Sequence, residues 1–341
     1  MSIFVTGDIH ASYDIAKLSE SCFNTAGLTK NDYVIICGDF GLVWNNSASE
    51  QYWLRWLDAR PFTTLFVDGN HEGFSLLNSL PETTWNGGAV HQVAISVFHL
   101  KRGQFFNIDG YRIFTMGGAT SSEYDRTHRI QGETWFTEEI PNDQERAAAL
   151  ETLDAADWDC DFVITHCAPS SSAQGISEHT DRPEIHPMDE YTDWLQTIQD
   201  RLTYRHWFCG HYHIDAQIQD KTTALYNRIA VLADPKIIAD ADAEERCFQE
   251  LLPADAAHGL AEQGRMIDPT GAGERGQIAD GDEPIARSGE TVRDLQGGVY
   301  GGIGHIMQKD HVSRAGLIYH PADHGLPVVG RPVLGVYGPL N

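Results

Sequence analysis

Residues 2–10 read SIFVTGDIH, a short apolar run that ends in Gly7 and Asp8 and, one residue further on, His10. The run is rich in β-branched and aromatic residues, as buried strands are. Its polar residues begin where such a strand would end. In layered α/β proteins, ligands bind in the crevice beyond the carboxyl ends of the strands. This stretch therefore predicts a strand that leads directly into a binding site.

The same arrangement recurs at four more apolar runs. YVIIC (33–37), TLFV (64–67), DFVIT (161–165) and HWFC (206–209) are each followed by aspartate, asparagine or histidine. Together, the five runs supply a shared set of polar residues: Asp8, His10, Asp39, Asn70, His71, His166, His211 and His213. Any one of these motifs alone is typical of a turn or a helix cap. Five of them at successive strand ends predict a single converging site.

The residue types in this set are those that a pair of divalent cations needs. Two cations about 3.5 to 4 Å apart share an anionic ligand and take further neutral donors that leave positions open for water and substrate. Aspartate can bridge, imidazole suits first-row transition metals, and the asparagine carbonyl adds an oxygen without charge. The sequence therefore predicts a dinuclear metal centre.

The first 236 residues alternate strand-like and helix-like segments, which predicts a layered α/β domain. The five runs above and RIFTMG (112–117) are the predicted strands. Apolar residues at intervals of three and four predict helices over 14–28, 49–59, 73–80, 143–156 and 188–202.

The composition changes after residue 236. Residues 237–341 hold 17 of the 32 glycines and none of the eight tryptophans. We interpret 1–236 as one domain and 237–341 as an appended, acidic, glycine-rich segment that is partly ordered and of unknown role.

The net charge of −25 disfavours sequence-independent binding of long nucleic acid, because such binding needs a basic surface. No window approaches the eighteen apolar residues of a membrane span, and the chain starts with a strand-like run in place of a signal peptide. These features predict a cytoplasmic protein without membrane partners.

Taken in order, the motifs resemble those of the calcineurin-like metallophosphoesterase superfamily. The resemblance covers about residues 3–213, and the phrases GDFGLVW, DGNHE, THCAP and GHYH are similar to those of its small stand-alone bacterial and phage members. It implies a layered β-sandwich flanked by helices. It also implies that Asp8, His10 and His213 bind one metal, that Asp39 bridges, and that Asn70, His166 and His211 bind the other.

The resemblance further implies a reaction. Members hydrolyse phosphate esters by in-line attack of a hydroxide that bridges the metals, and His71 would act as proton donor or transition-state stabiliser. Manganese is the expected metal, with iron or zinc as alternatives. The oligomeric state stays open.

The sequence departs from the protein serine/threonine phosphatases of this superfamily. Where they carry Asp-Arg-Gly and an arginine before GNHE, this chain has Phe40-Gly41-Leu42 and Asp68. By composition, Arg126 and Arg129 are the candidate phosphate-binding residues, and Arg102 is a further substitute. We expect a phosphomonoesterase; the alternatives are a phosphodiesterase or nuclease of the same fold, and a non-catalytic scaffold.

Overall fold

The computed structural model describes residues 1–177, 186 and 188–237. Within them, fourteen strands form two sheets. The strands are β1 Ile3–Thr6, β2 Tyr33–Ile36, β3 Thr63–Phe66, β4 Glu82–Trp85, β5 Gly88–Ala94, β6 Val97–Leu100, β7 Gln104–Ile108, β8 Tyr111–Met116, β9 Phe162–Thr165, β10 His206–Cys209, β11 Ala216–Gln219, β12 Thr222–Ala224, β13 Ile229–Val231 and β14 Asp234–Ile237. The helices are α1 Ala48–Asp58, α2 Phe74–Leu77, α3 Glu123–His128, α4 Asp143–Ala155, α5 Ser170–Ser177 and α6 Glu190–Arg201, with 3₁₀ turns at Ile15–Leu18 and Thr137–Glu139.

The two sheets pack face to face and form a β-sandwich. Strand order is β14-β13-β1-β2-β3-β6-β5-β4 in the first sheet and β11-β12-β10-β9-β8-β7 in the second. Apolar side chains from both sheets share one buried cluster, for example Val5 and Ile35 with Ile164 and Phe208. A layered α/β sandwich was predicted, and the structure confirms it.

Helices cover the outer face of each sheet. Leu54 and Leu57 of α1 pack on the first sheet with Phe66, whereas Leu153 of α4 and Leu195 of α6 belong to the cluster behind the second sheet. Helices α4 and α6 both begin with a capping box, which satisfies N–H groups that a helix start leaves unpaired. None of the helices in the described part of the chain is long and apolar enough to cross a membrane.

The six predicted strands are all present, as β1, β2, β3, β8, β9 and β10. The prediction of a helix over 14–28 is wrong, because only the 3₁₀ turn Ile15–Leu18 forms there. Ser19 ends this turn with an extended backbone. The side chain of Lys17 is buried against main-chain oxygens instead of lying along a helix surface.

Strands β4 to β7 and β11 to β14 were not predicted from the sequence. Asn86-Gly87 joins β4 to β5, and Asp109-Gly110 joins β7 to β8. All four turn residues have positive φ, between 47° and 95°, as type I′ hairpin turns require. These dipeptides were therefore a signal for both hairpins.

The division at residue 236 stays a prediction. Strand β14 runs through it, from Asp234 to Ile237, and pairs antiparallel with β13. The remainder of the predicted segment, residues 238–341, lies outside the described residues.

Candidate metal centre

The carboxyl ends of five strands bring the predicted metal ligands together. β1, β2 and β3 are neighbours in the first sheet, and β9 and β10 are neighbours in the second. Each predicted ligand contacts at least one other: Asp8, His10, Asp39, Asn70, His166, His211 and His213. The cluster is thus built from both halves of the sandwich.

Asp8 is fully buried and contacts residues from both sheets. Its Oδ2 lies 3.3 Å from Nε2 of His213 and 4.0 Å from Nε2 of His10. Its Oδ1 accepts the main-chain N–H of His211 at 3.0 Å and lies 3.8 Å from Nδ1 of His166. One ligand atom each from Asp8, His10 and His213 lies within 4.8 Å of the others, which is close enough for a single cation to bind all three.

Asp39 presents one carboxylate oxygen to each side of the cluster. Its Oδ2 lies 3.2 Å from Nε2 of His10, and its Oδ1 lies 3.2 Å from Nε2 of His166. The ligand atoms of Asp8, Asp39 and His166 also lie within 4.8 Å of one another. A carboxylate between imidazoles of different strands has the placement that the predicted bridging role requires.

Main-chain and side-chain partners orient His166 and Asn70. Nδ1 of His166 donates to the carbonyl oxygen of Cys37 at 2.7 Å, so Nε2 carries the lone pair of the neutral ring. Nε2 lies 3.1 Å from Oδ1 of Asn70. The amide Nδ2 of Asn70 donates to Ser121 at 3.2 Å, and Ser121 in turn donates to Glu139. These two hydrogen bonds orient the amide oxygen of Asn70 towards the cluster.

His10 shows the clearest fit to a metal. Its Nδ1 donates to Oδ2 of Asp14 at 2.7 Å, an arrangement common for metal-binding histidines. Its Nε2 is buried and makes no well-aligned hydrogen bond within the described part of the chain, although Oδ2 of Asp39 lies 3.2 Å away. A buried lone pair without a donor is costly unless a cation binds it. The i,i+4 spacing of His10 and Asp14 was a signal in the sequence that we did not use.

The electrostatics of the cluster favour a bound cation. Burial lowers the pKa of His166, but the carboxylates of Asp39 and Asp8 outweigh burial and raise this pKa to about 9. Burial raises the pKa of Asp39, yet the charge of His166 holds it well below its usual range. The negative charge of these buried carboxylates stabilises a proton on the neighbouring imidazole. The same charge can stabilise a metal ion in place of that proton. The residues therefore fit divalent metal ions.

Four of the predicted ligands have a left-handed backbone. φ is +43° at His10, +47° at Asp39, +71° at His211 and +51° at His213. Such values are uncommon outside glycine and cost of order 1–3 kcal/mol each, so they persist where the surrounding fold imposes them. Gly210 allows the last turn, because a Cβ at this position would overlap the Asp8 carboxylate.

His186 lies near His211, although its sequence context predicts no role for it. Its ring centroid is 4.7 Å from that of His211 and 5.2 Å from that of Tyr212. No sequence motif surrounds His186, so only the structure identifies it as a neighbour of the cluster.

Glu72 is hydrogen-bonded to the main chain of the two turns that carry Asp39 and Asn70. Its carboxylate accepts the main-chain N–H groups of Phe40 at 2.8 Å, Gly41 at 3.0 Å and Gly69 at 3.3 Å. The side chain is fully buried. Burial and the charge of Asp39 raise the pKa of Glu72 to about 8.

His71 lies beside the cluster and in contact with Arg129. Its main-chain N–H donates to Oδ1 of Asp39 at 2.8 Å, and its ring centroid is 5.6 Å from that of His10. Nη2 of Arg129 contacts the imidazole at Nδ1 and lies 3.2 Å from Nε2. Burial and Arg129 hold the pKa of His71 well below its usual range.

The three arginines have different surroundings. Arg129 directly follows α3 and is buried, and its Nε and Nη1 have no hydrogen-bond partner among the described residues. Arg126 is exposed on α3. Nε and Nη2 of Arg102 donate to Oδ2 of Asp68 at 2.8 and 2.6 Å, so Arg102 forms an ion pair with that buried carboxylate.

Comparison with known proteins agrees with this geometry. The model of the calcineurin-like phosphoesterase family matches residues 1–215. The lariat debranching enzyme of Schizosaccharomyces pombe is 25% identical over 165 residues, which cover 45% of this chain and 33% of that enzyme. The chain thus spans about a third of the length of this relative. The matched segment spans more than half of the chain and contains every strand that leads into the cluster, and the chain therefore belongs to the calcineurin-like phosphoesterase family.

Proposed function

We propose that this phosphoesterase is a phosphomonoesterase with two divalent ions, manganese in the first instance. Asp8, His10 and His213 form the first ligand group, Asn70, His166 and His211 form the second, and Asp39 contributes to both. The chemistry that two bound divalent ions supply in such a site is Lewis-acid activation of water and neutralisation of phosphoryl charge.

The observation that carries the monoester proposal is the buried guanidinium of Arg129 beside His71. Two of its nitrogens, Nε and Nη1, make no hydrogen bond among the described residues, and Oδ1 of Asp125 lies 3.7 Å from Nε. A phosphomonoester dianion has three non-bridging oxygens that can accept hydrogen bonds, whereas a diester has two, carries one charge fewer and has a second bulky substituent. Arg129 therefore favours the substrate with the more negative phosphoryl group.

His71 is proposed to donate a hydrogen bond to the reacting phosphoryl group. Because its pKa is held low by burial and by Arg129, the imidazole is neutral in the ligand-free protein. A neutral ring keeps one N–H donor. The resemblance implies that His71 is either a proton donor or a transition-state stabiliser, and a neutral ring supports the stabilising role. His71 could protonate the leaving oxygen only if it were charged. This would require the bound phosphate dianion to raise the pKa of His71 by offsetting the charge of Arg129.

A phosphodiesterase that acts on nucleic acid is the second candidate. The similarity to a lariat debranching enzyme favours it. The net charge of −25 weighs against a long polyanionic substrate, because phosphate contacts with nucleic acid rely on basic surface.

Turnover of p-nitrophenyl phosphate and of its bis-ester, measured on manganese-loaded protein, tests the proposal. We expect the wild-type chain to prefer the monoester. Arg129→Gln should reduce kcat/KM for the monoester about 10- to 100-fold, because it removes a charge-assisted contact, and should affect the bis-ester less. His71→Ala should reduce kcat about 10²- to 10³-fold with metal content unchanged, because it removes a hydrogen-bond donor to the reacting phosphoryl group.

Arg201→Gln, which changes an exposed arginine paired with Asp154, is the matched control. A preference for the bis-ester would favour the second candidate. A chain that binds no metal and turns over neither ester would favour the non-catalytic scaffold.

A further inference from the structure

A second layer of side chains supports the first ligand group from behind. Tyr226 stacks on His213, with ring centroids 4.5 Å apart and an angle of 14° between the planes. The hydroxyl of Tyr226 donates to Oδ1 of Asp14 at 3.3 Å, and Oδ2 of Asp14 accepts from His10. One tyrosine therefore contacts one metal-binding imidazole directly and the other through a shared carboxylate.

Lys17 connects the main chain of Tyr226 to that of Asp8. Its buried ammonium donates to the carbonyl oxygens of Gly7 at 3.0 Å, Asp8 at 2.6 Å and Tyr226 at 2.5 Å. A lysine ammonium has three donors, and three main-chain oxygens accept them. Lys17 thus fixes the turn after β1 relative to the segment that carries Tyr226.

The segment around Tyr226 is itself held by Asp215. Its carboxylate accepts the main-chain N–H groups of Tyr226 at 2.8 Å, Asn227 at 3.1 Å and Arg228 at 3.1 Å. Tyr226 also lies beyond residue 215, where the match to the family model ends. The support of His213 therefore comes from a part of the chain that the family pattern does not include.

We propose that Tyr226 and Lys17 are positioning residues that set the metal affinity of the first ligand group. The inference rests on the metal-binding roles in the proposed function. Tyr226 limits rotation of the His213 ring by stacking, and its hydroxyl helps to hold Asp14 against His10. Lys17 holds the Asp8 turn at a constant distance from Tyr226. The second ligand group has other supports, namely Ser121 behind Asn70 and the Cys37 carbonyl behind His166.

Binding of Mn²⁺ to chelator-stripped full-length protein tests this inference, measured by titration calorimetry and by the metal content after dialysis. We expect the wild-type chain to bind two ions. Tyr226→Leu should weaken one of them about 10- to 100-fold and leave the other unchanged, as expected when a supporting partner of a metal ligand is lost. Tyr226→Phe, which keeps the ring, should restore most of the affinity.

Tyr52→Leu, which changes an exposed tyrosine of α1, is the control. The unfolding temperature of each metal-free variant shows whether a loss is specific to metal binding. Lys17→Met should weaken the same ion as Tyr226→Leu. Two ions bound with wild-type affinity by Tyr226→Leu would overturn this inference alone. A uniform weakening of both ions would also overturn it. A wild-type chain that binds no manganese would overturn the proposed function and the inference with it.

Discussion

At the scale of single residues, Glu72 shows how one buried carboxylate organises the centre without belonging to the predicted ligands. It accepts three main-chain N–H groups from the turns after β2 and β3. Each of these turns carries a predicted ligand, Asp39 or Asn70. The positions of Asp39 and Asn70 therefore both depend on the Glu72 carboxylate, whose two oxygens accept from both turns.

Glu72→Leu should destabilise the protein by about 3 kcal/mol, because an apolar side chain leaves three buried main-chain N–H groups without their acceptor. Chemical unfolding of the metal-free protein measures this free energy. Glu133→Gln, at an exposed glutamate, should leave it within about 0.5 kcal/mol. Equal stability of wild type and Glu72→Leu would show that Glu72 does not hold the two turns.

The sequence predicted the residues that face the centre better than those that support them. Asp8, Asp39 and His166 stand directly at strand ends, where an ordered set of motifs marks them. Ser121 and Tyr226 support the cluster from distant segments without any local motif. Their contacts depend on how those segments pack, which is set by the folded chain as a whole.

At the scale of elements, β10 contains a buried titratable group. His206, its first residue, is buried, and Nε2 lies 2.8 Å from Oγ1 of Thr223 on β12. Burial lowers the pKa of His206 to about 4. The second sheet therefore contains a neutral imidazole at neutral pH.

The free energy of unfolding should fall as the pH decreases from about 6.5 to about 4. In this range the unfolded chain binds a proton at His206 that the folded chain does not bind, so protonation favours unfolding. His206→Gln should reduce the loss of stability between pH 7.5 and pH 5 by on the order of 1 kcal/mol.

Denaturant unfolding with a chelator present at each pH measures this difference without a contribution from metal release. His128→Gln, at an exposed histidine of α3, is the control. If His206→Gln and wild type lose the same stability over this range, the neutral buried imidazole is not the cause.

The strands that lead into the site were predicted, and the hairpins at the sheet edges were not. Buried strands such as β2 and β9 are continuous apolar runs, which sequence alone indicates. β4 has the exposed sequence ETTW and no such run, so its turn at Asn86-Gly87 is the stronger signal. The 14–28 segment has helical spacing, but the contacts of Lys17 with the β1 turn determine its conformation.

At the scale of the whole molecule, the proposed metal centre lies where the two sheets meet at their strand ends. The first ligand group combines residues after β1 and β10, and the second combines residues after β3, β9 and β10. Bound ions would therefore connect the two sheets and should contribute to the stability of the entire fold.

Removal of metal should lower the unfolding temperature. A ligand that binds only the folded state adds about 2.7 kcal/mol at 100 times its Kd, and the paired carboxylates repel each other without it. Calorimetry before and after chelation should show the decrease, and added Mn²⁺ should reverse it. Ca²⁺, which prefers oxygen ligands, should restore less because the site is rich in imidazole. An unfolding temperature that chelation does not change would contradict this role.

The pairing of β13 with β1 determines where the chain can be shortened. Phe4, Val5 and Thr6 form antiparallel pairs with Val231, Ala230 and Ile229, immediately before the turn that carries Asp8. A fragment cut at residue 215, the end of the family match, would leave one side of β1 as an open edge. Recombinant fragments should therefore extend at least to residue 237, and chimaeras with relatives need their junction beyond β14.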